Sequence, residues 1–135
     1  MATLLNPYVS FPGTARSALE FYQSVFGGDL DIHPFGEYGQ ADAPEADNVM
    51  HATLTSAAGF TLMASDNPPG WAHQPGNNIS ISLSGDDEAE LRGYWDKLTA
   101  EGTVMVPLEK QMWGDVFGMG ADQFGIMWLV NISGS

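Results

Sequence analysis

The residues of this chain that could do chemistry are a histidine inside a strand-like run, two asparagines that open similar runs, and a group of late aromatics. His51 stands in the stretch VMHATLTS, in period-two phase with Val49, Thr53 and Thr55. Imidazole changes charge near neutral pH, so His51 is the best candidate for acid/base work or for touching a ligand. A hydrogen-bonded structural histidine is the alternative. His33 precedes Pro34 in an edge-strand-like run and is expected to be exposed. His73 lies in a stretch rich in Pro and Gly, and no two histidines show the HExxH or HxH spacing of a metal site. Asn6 and Asn78 carry amide donors that could face a developing oxyanion. Glu109, Gln111 and Trp113 share one strand phase, although Glu109 could equally be solvated. Gly114, Gly118 and Gly120 make no phosphate loop, because no Lys follows and no helix begins there. No GxSxG elbow occurs. Asp66 closes a strand-like run, where it would cap a turn or line a pocket mouth.

Elements must hold these groups in place. Residues 6–11 (NPYVSF) alternate in period two, with Val9 and Phe11 on one face and Asn6, Tyr8 and Ser10 on the other. Pro12-Gly13 turns the chain, and Thr14 is a plausible helix N-cap. Ala15, Ala18, Leu19, Tyr22, Val25 and Phe26 follow at helical spacing until Gly27-Gly28. The pattern returns at residues 78–83 (NISISL), where Ile79, Ile81 and Leu83 alternate with Asn78, Ser80 and Ser82. Asp87 and Glu90 then show capping-box spacing, and Leu91, Tyr94, Trp95 and Leu98 make an apolar stripe. A shift of 72 positions overlays the two stretches without a gap, matching Asn6 with Asn78, Leu19 with Leu91 and Tyr22 with Tyr94. Strand-like runs over 30–38, 49–56 and 60–66 follow the first helix, and runs over 103–111, 115–122 and 126–132 follow the second. The connecting stretches 39–47 and 67–76 read as loops.

The chain of 135 residues has room for one domain-sized core. It contains no cysteine, which excludes disulfides, thiolate metal sites and a Cys nucleophile. Seventeen acidic residues against four basic ones give a net charge of −13, which disfavours nucleic acid and anionic membrane surfaces as partners. No run approaches the ~20 apolar residues that span a bilayer. The first residues lack the basic-then-apolar pattern of a signal peptide, so a cytoplasmic location is expected.

Two successive strand–helix–three-strand units make the sequence resemble the vicinal oxygen chelate superfamily, which includes glyoxalase and bleomycin-resistance proteins. Within it the chain is most similar to the PhnB-like branch. The resemblance rests on NPYVSF, ALEFYQSVFGG, HATLTSAAGFTLMASD and NNISISLSGDDEAELRGYWDKL. The most specific string is PLEKQMWGDVFGMGADQFGIMWLVNI, with Trp113-Gly114, Phe117-Gly118, Asp122, Phe124-Gly125 and Trp128 in order. It implies an α+β fold of two tandem βαβββ units forming half-barrels around a cavity, in one domain over 1–135. Repeat one covers about 3–66, the linker about 67–76 and repeat two about 77–133. It also implies a homodimer and helices on the outer faces of the sheets.

Under that resemblance the polar strand positions Asn6, Tyr8, Ser10, Asn78, Ser80 and Ser82 would face the cavity, with His51 and Thr53 beside them. Met105, Met112, Trp113, Phe117, Met119, Phe124, Met127 and Trp128 are read mainly as core or dimer contact, with Trp113, Phe117 and Leu129 able to line an apolar pocket. Metal-dependent members place His, Glu or Gln at four positions, which fall here on Asn6, Asn78, Met63 and Leu129. A thioether and an aliphatic chain cannot hold a hard divalent ion, so no cofactor is predicted; a site built from His51 and remote carboxylates stays open. Three functions compete. The first is metal-independent binding of a small organic molecule in the cavity or a dimer groove, with the acidic surface favouring a cationic one. The second is an enzyme of isomerase, lyase, dioxygenase or transferase type with His51 as acid/base. The third is a structural role with the cavity filled by side chains. Relatives of this branch are sometimes labelled demethylubiquinone methyltransferases, and nothing in the sequence resembles a methyl-donor site.

Overall fold

The computed structural model describes residues 3–38, 47–68 and 70–134. The chain divides into two compact units, Met1–Gln74 and Pro75–Ser135. In the first unit β1 (Tyr8–Phe11) leads to α1 (Ala15–Phe26), β2 (Asp29–Pro34), a 3-10 turn at Phe35–Tyr38, β3 (Val49–Thr55) and β4 (Thr61–Asp66). The second unit repeats the plan with β5 (Ile81–Gly85), α2 (Glu88–Thr99), β6 (Thr103–Lys110), β7 (Val116–Ala121) and β8 (Met127–Ile132). Each unit holds an open four-stranded mixed sheet, ordered β1-β4-β3-β2 and β5-β8-β7-β6. The first and last strands of a unit run parallel, and the other neighbours run antiparallel. This is the expected α+β pair of βαβββ units. Most of the stretch read as a loop over 39–47 lies outside the described residues.

The core of the first unit lies between α1 and one face of its sheet. Ala15, Ala18, Leu19, Tyr22, Val25 and Phe26 recur at helical spacing and are all buried. Phe11, Ala52, Leu54, Leu62 and Ala64 are buried in the sheet. Each large apolar side chain removed from water contributes about 1.5–3 kcal/mol before ordering costs. The helix N-terminus differs from expectation. Thr14 occupies the N-cap position, but its side chain makes no capping hydrogen bond. Instead the buried Asp66 Oδ1 accepts from the Ala15 N–H at 2.8 Å, while Oδ2 accepts from the Val49 N–H at 2.8 Å. One carboxylate thereby ties the start of α1, the start of β3 and the end of β4, and places its negative charge at the positive end of the helix.

The second unit reaches the same topology with different side chains. Asp87 caps α2 by accepting from the Glu90 N–H at 3.1 Å, as its spacing predicts. Helix α2 begins one residue later than the overlay of 72 positions places it. Its buried stripe is Leu91, Trp95 and Leu98, which corresponds to Ala18, Tyr22 and Val25 of α1. Tyr94 is only half-buried and is not the counterpart of the buried Tyr22. Trp95 fits because Gly118 and Gly120 of β7 leave room: a Cβ at either would meet the end of its indole, at 3.0 and 3.5 Å. Those glycines, which make no phosphate loop, form the floor under a tryptophan.

Three hairpin turns share one form. At 56–60, 111–115 and 122–126 the fourth residue is a glycine with positive φ, and its N–H donates to the carbonyl of the first. In the last turn the buried Asp122 adds three side-chain bonds, accepting from the Phe124 N–H, the Ile126 N–H and the Trp128 Nε1–H at 2.8, 3.2 and 2.8 Å. That lock accounts for the motif residues Asp122, Gly125 and Trp128.

One expectation fails locally. The second unit's first strand starts at Ile81 rather than at 78, so Ile79 is 79% exposed instead of packed. Pairing with β8 begins at Ile81↔Trp128, and the residues before it have no ladder to hold them in alternation. Of the late aromatics and methionines, Trp128 is buried in the core, whereas Met112 at the β6–β7 turn is 98% exposed and Trp113 62%.

Candidate functional site

A helix covers one face of each sheet, and alternation sends every second side chain to the other face. In the first unit that helix-free face carries Tyr8 and Ser10 from β1, Met63 and Ser65 from β4, His51 and Thr53 from β3, and Asp31 and His33 from β2. Register fixes the rows: Tyr8 pairs with Met63, Met63 with Thr53, and Thr53 with Asp31. His33 pairs with His51 directly across the β2–β3 ladder. The alternation of β3 breaks at its start. A bulge between His33 and Pro34 shifts the register, and Val49, expected in phase with His51, is fully buried instead.

His51 is the hub of this face. Its Nδ1 lies 3.4 Å from the Tyr8 hydroxyl, and its Nε2 lies 3.1 Å from Thr53 Oγ1. A neutral imidazole has one N–H and one lone pair, so one hydroxyl donates to the ring and the other accepts from it. The Tyr8 and His51 rings stand 5.8 Å apart, and Tyr8 remains 51% exposed. On the neighbouring edge strand His33 Nε2 meets Asp31 Oδ2 at 3.0 Å. His33 is therefore half-buried and paired rather than simply exposed. His73 lies apart, against Asn67 Nδ2 at 3.0 Å.

The sequence-derived residues thus fall into distinct groups. Tyr8, His51 and Thr53 come together, and Ser10 shares their face. Asn6 precedes β1, outside the strand. In the second unit Asn78 is exposed and Ser80 half-buried, both before β5. Trp113 stacks edge-to-face on Phe117 with centroids 6.2 Å apart. Leu129 lies in β8 between Ser82 and Met119. Glu109 is exposed opposite Phe117, and the Gln111 side chain turns back to donate to the Glu109 carbonyl at 3.0 Å. Sequence reasoning passed over Asp31 and did not place His33 beside His51, because that neighbour relation exists only across the ladder. Asp66 is a structural cap, with both carboxylate oxygens taken by the backbone N–H groups of Ala15 and Val49, and not a pocket-mouth residue.

Met63 and Leu129, the last-strand residues on which the family resemblance would place metal ligands, are a thioether and an aliphatic chain, which do not fit a hard divalent ion. Among the described residues no three His, Asp or Glu side chains are grouped so as to hold a metal ion. Also among them, no helix is long and apolar enough to cross a membrane.

Comparison with known proteins agrees with this fold. Residues 4–131 match the profile of the family described as 3-demethylubiquinone-9 3-methyltransferase. The crystal structure of protein PA1353 from Pseudomonas aeruginosa is 37% identical and superposes with a TM-score of 0.85, covering 99% of this chain and all of that one. A Bacillus cereus protein described as a putative 3-demethylubiquinone-9 3-methyltransferase, PhnB protein, has a TM-score of 0.75 at 24% identity, over 97% of this chain and 100% of its own. A glyoxylase/bleomycin resistance protein/dioxygenase domain from Frankia shares the fold alone, with a TM-score of 0.67 at 11% identity over 98% of each chain.

Proposed function

The chain belongs to the family described as 3-demethylubiquinone-9 3-methyltransferase, the PhnB-like branch of the vicinal oxygen chelate fold, and from that premise we propose that it binds a small organic cation without a metal. The binding surface is the helix-free face of the first sheet. The observation that carries this reading is the group Tyr8, His51 and Thr53: an aromatic ring, an imidazole and a hydroxyl, joined by hydrogen bonds and still open to a ligand. Strands β1 to β4 contain no Lys or Arg, whereas β2 contributes Asp29 and Asp31. A half-exposed tyrosine ring suits an ammonium group, and the β2 carboxylates add negative charge to the same face of the sheet. The family description names methyl transfer, but Tyr8, His51 and Thr53 give no methyl donor a recognisable cradle. By the same reading the protein acts in the cytoplasm as a homodimer, as the family resemblance and the cysteine-free sequence suggest. Sedimentation velocity at micromolar concentration tests the dimer.

Thermal unfolding in the presence of quaternary ammonium and aromatic ligands tests the binding. A ligand at about 100 times its Kd adds about 2.7 kcal/mol to the folded state, several degrees in Tm. The shift should vanish in His51→Ala while the unliganded Tm changes little. No shift with any ligand would defeat the reading.

One observation favours a second reading. Both ring nitrogens of His51 are engaged by hydroxyls, which can donate or accept and so serve either tautomer, an arrangement that lets the ring take a proton at one nitrogen and give one from the other. Turnover of a bound molecule that is lost in His51→Ala and depressed in Tyr8→Phe would establish that enzyme reading.

A further inference from the structure

The β2–β3 ladder sets two histidines opposite each other at the proposed binding surface, and they have different partners. His33 and His51 are direct cross-strand neighbours on one face. In such pairs the Cβ atoms stand about 5 Å apart, and like charges directly opposite each other are unfavourable. His33 is held by Asp31 at 3.0 Å, and His51 by the Tyr8 and Thr53 hydroxyls. Among the described residues, the other titratable groups on this face are Asp29, Asp31 and Tyr8; β4 adds none. The face is therefore anionic when both imidazoles are neutral. It gains two positive charges as they protonate, one of them neutralising Asp31 directly.

We infer that the His33–His51 pair makes ligand binding at this face proton-linked, so that an organic cation is held at neutral pH and released on acidification. The inference rests on the binding reading given above. Its logic is competition. A cation drawn to this face by Asp29 and Asp31 occupies the field that the imidazole protons would occupy. Each proton that the ligand must displace weakens binding by up to about tenfold per pH unit below the imidazole range. A neutral ligand of the same shape displaces no proton and should not respond in this way.

The test measures binding of choline and of its neutral isostere 3,3-dimethylbutanol to the full chain by calorimetry, between about pH 7.5 and about pH 5.5. Choline affinity should fall about tenfold or more over that range, with uptake of protons on release, while the isostere changes less than about twofold. His33→Asn and His51→Asn should each flatten the choline profile, and the double variant should abolish it. His33→Asn lies on an edge strand and so keeps the test available if the His51 variant folds poorly. Choline binding that is flat with pH, stronger in acid, or parallel to that of the isostere would overturn the inference and leave the binding reading standing. Binding of neither probe at any pH would overturn the inference, and only the wider ligand screen would then decide the binding reading.

Discussion

A buried carboxylate that satisfies two backbone donors leaves both orphaned when it is removed. Asp66 is 2% exposed and accepts from Ala15 and Val49, so Asp66→Ala should cost about 2–4 kcal/mol, read as a fall in Tm and in the denaturant midpoint. Because Val49 opens the strand that carries His51, the same variant should also loosen the His51 ring, seen as altered imidazole resonances. Asp115 supplies a different residue-scale prediction. The Gly134 N–H and then the Asn131 amide hydrogen-bond its carboxylate and hold its pKa below the ordinary 3.8. A depressed pKa means the contribution is complete above pH 3.8 and is lost as pH falls through the lower folded value. The Gly134 amide resonance should therefore titrate below pH 3.8 in the wild type and stay flat in Asp115→Asn.

At the scale of elements, the two units solve one packing problem in two ways. In the first, small Ala18 lies in the helix stripe and larger residues lie in the sheet. In the second, Trp95 comes from the helix and glycines come from the strand. A Cβ at Gly118 would stand 2.9 Å from Leu108 Cα and 3.0 Å from the Trp95 ring, so Gly118→Ala should destabilise by about 1–3 kcal/mol. Gly93 is the contrasting case: it lies within α2, and a Cβ there meets nothing within 4 Å. Gly93→Ala should stabilise by up to about 1 kcal/mol through helix propensity alone. Chemical denaturation of the pair checks both signs, and a stabilised Gly118→Ala would refute the tryptophan floor.

Across the whole molecule, charge has the widest reach. A net charge of −13 on 135 residues repels itself, and the ion pairs among the described residues include Arg92–Glu88 at 2.7 Å, a solvent-exposed i, i+4 pair of small value. Raising ionic strength from about 0.01 M to about 0.15 M shortens the screening length from about 30 Å to about 8 Å. Tm should rise by a few degrees over that range; a fall would mean that attractive pairs outweigh the repulsion. The same salt should weaken choline binding more than binding of its neutral isostere.

The sequence by itself determined what depends on near neighbours in the chain. The order of the helices and strands, the Asp87 cap and the tandem βαβββ plan all follow from period, turn chemistry and spacing. It also singled out His51 and Thr53, because strand phase sets them on one face. Tertiary structure decided the rest. Residues 35–48 separate β2 from β3 in sequence, more than a two- to five-residue hairpin loop spans, so nothing local fixes their register, and only the folded ladder sets His33 beside His51. Likewise Asp66 replaces Thr14 as the working cap because it arrives from a strand 51 residues beyond Ala15 in sequence. The one-residue slip between the helices reflects which side chains the opposing strand can accommodate: glycines at 118 and 120 admit Trp95, and a periodic stripe read along one helix carries no information about them.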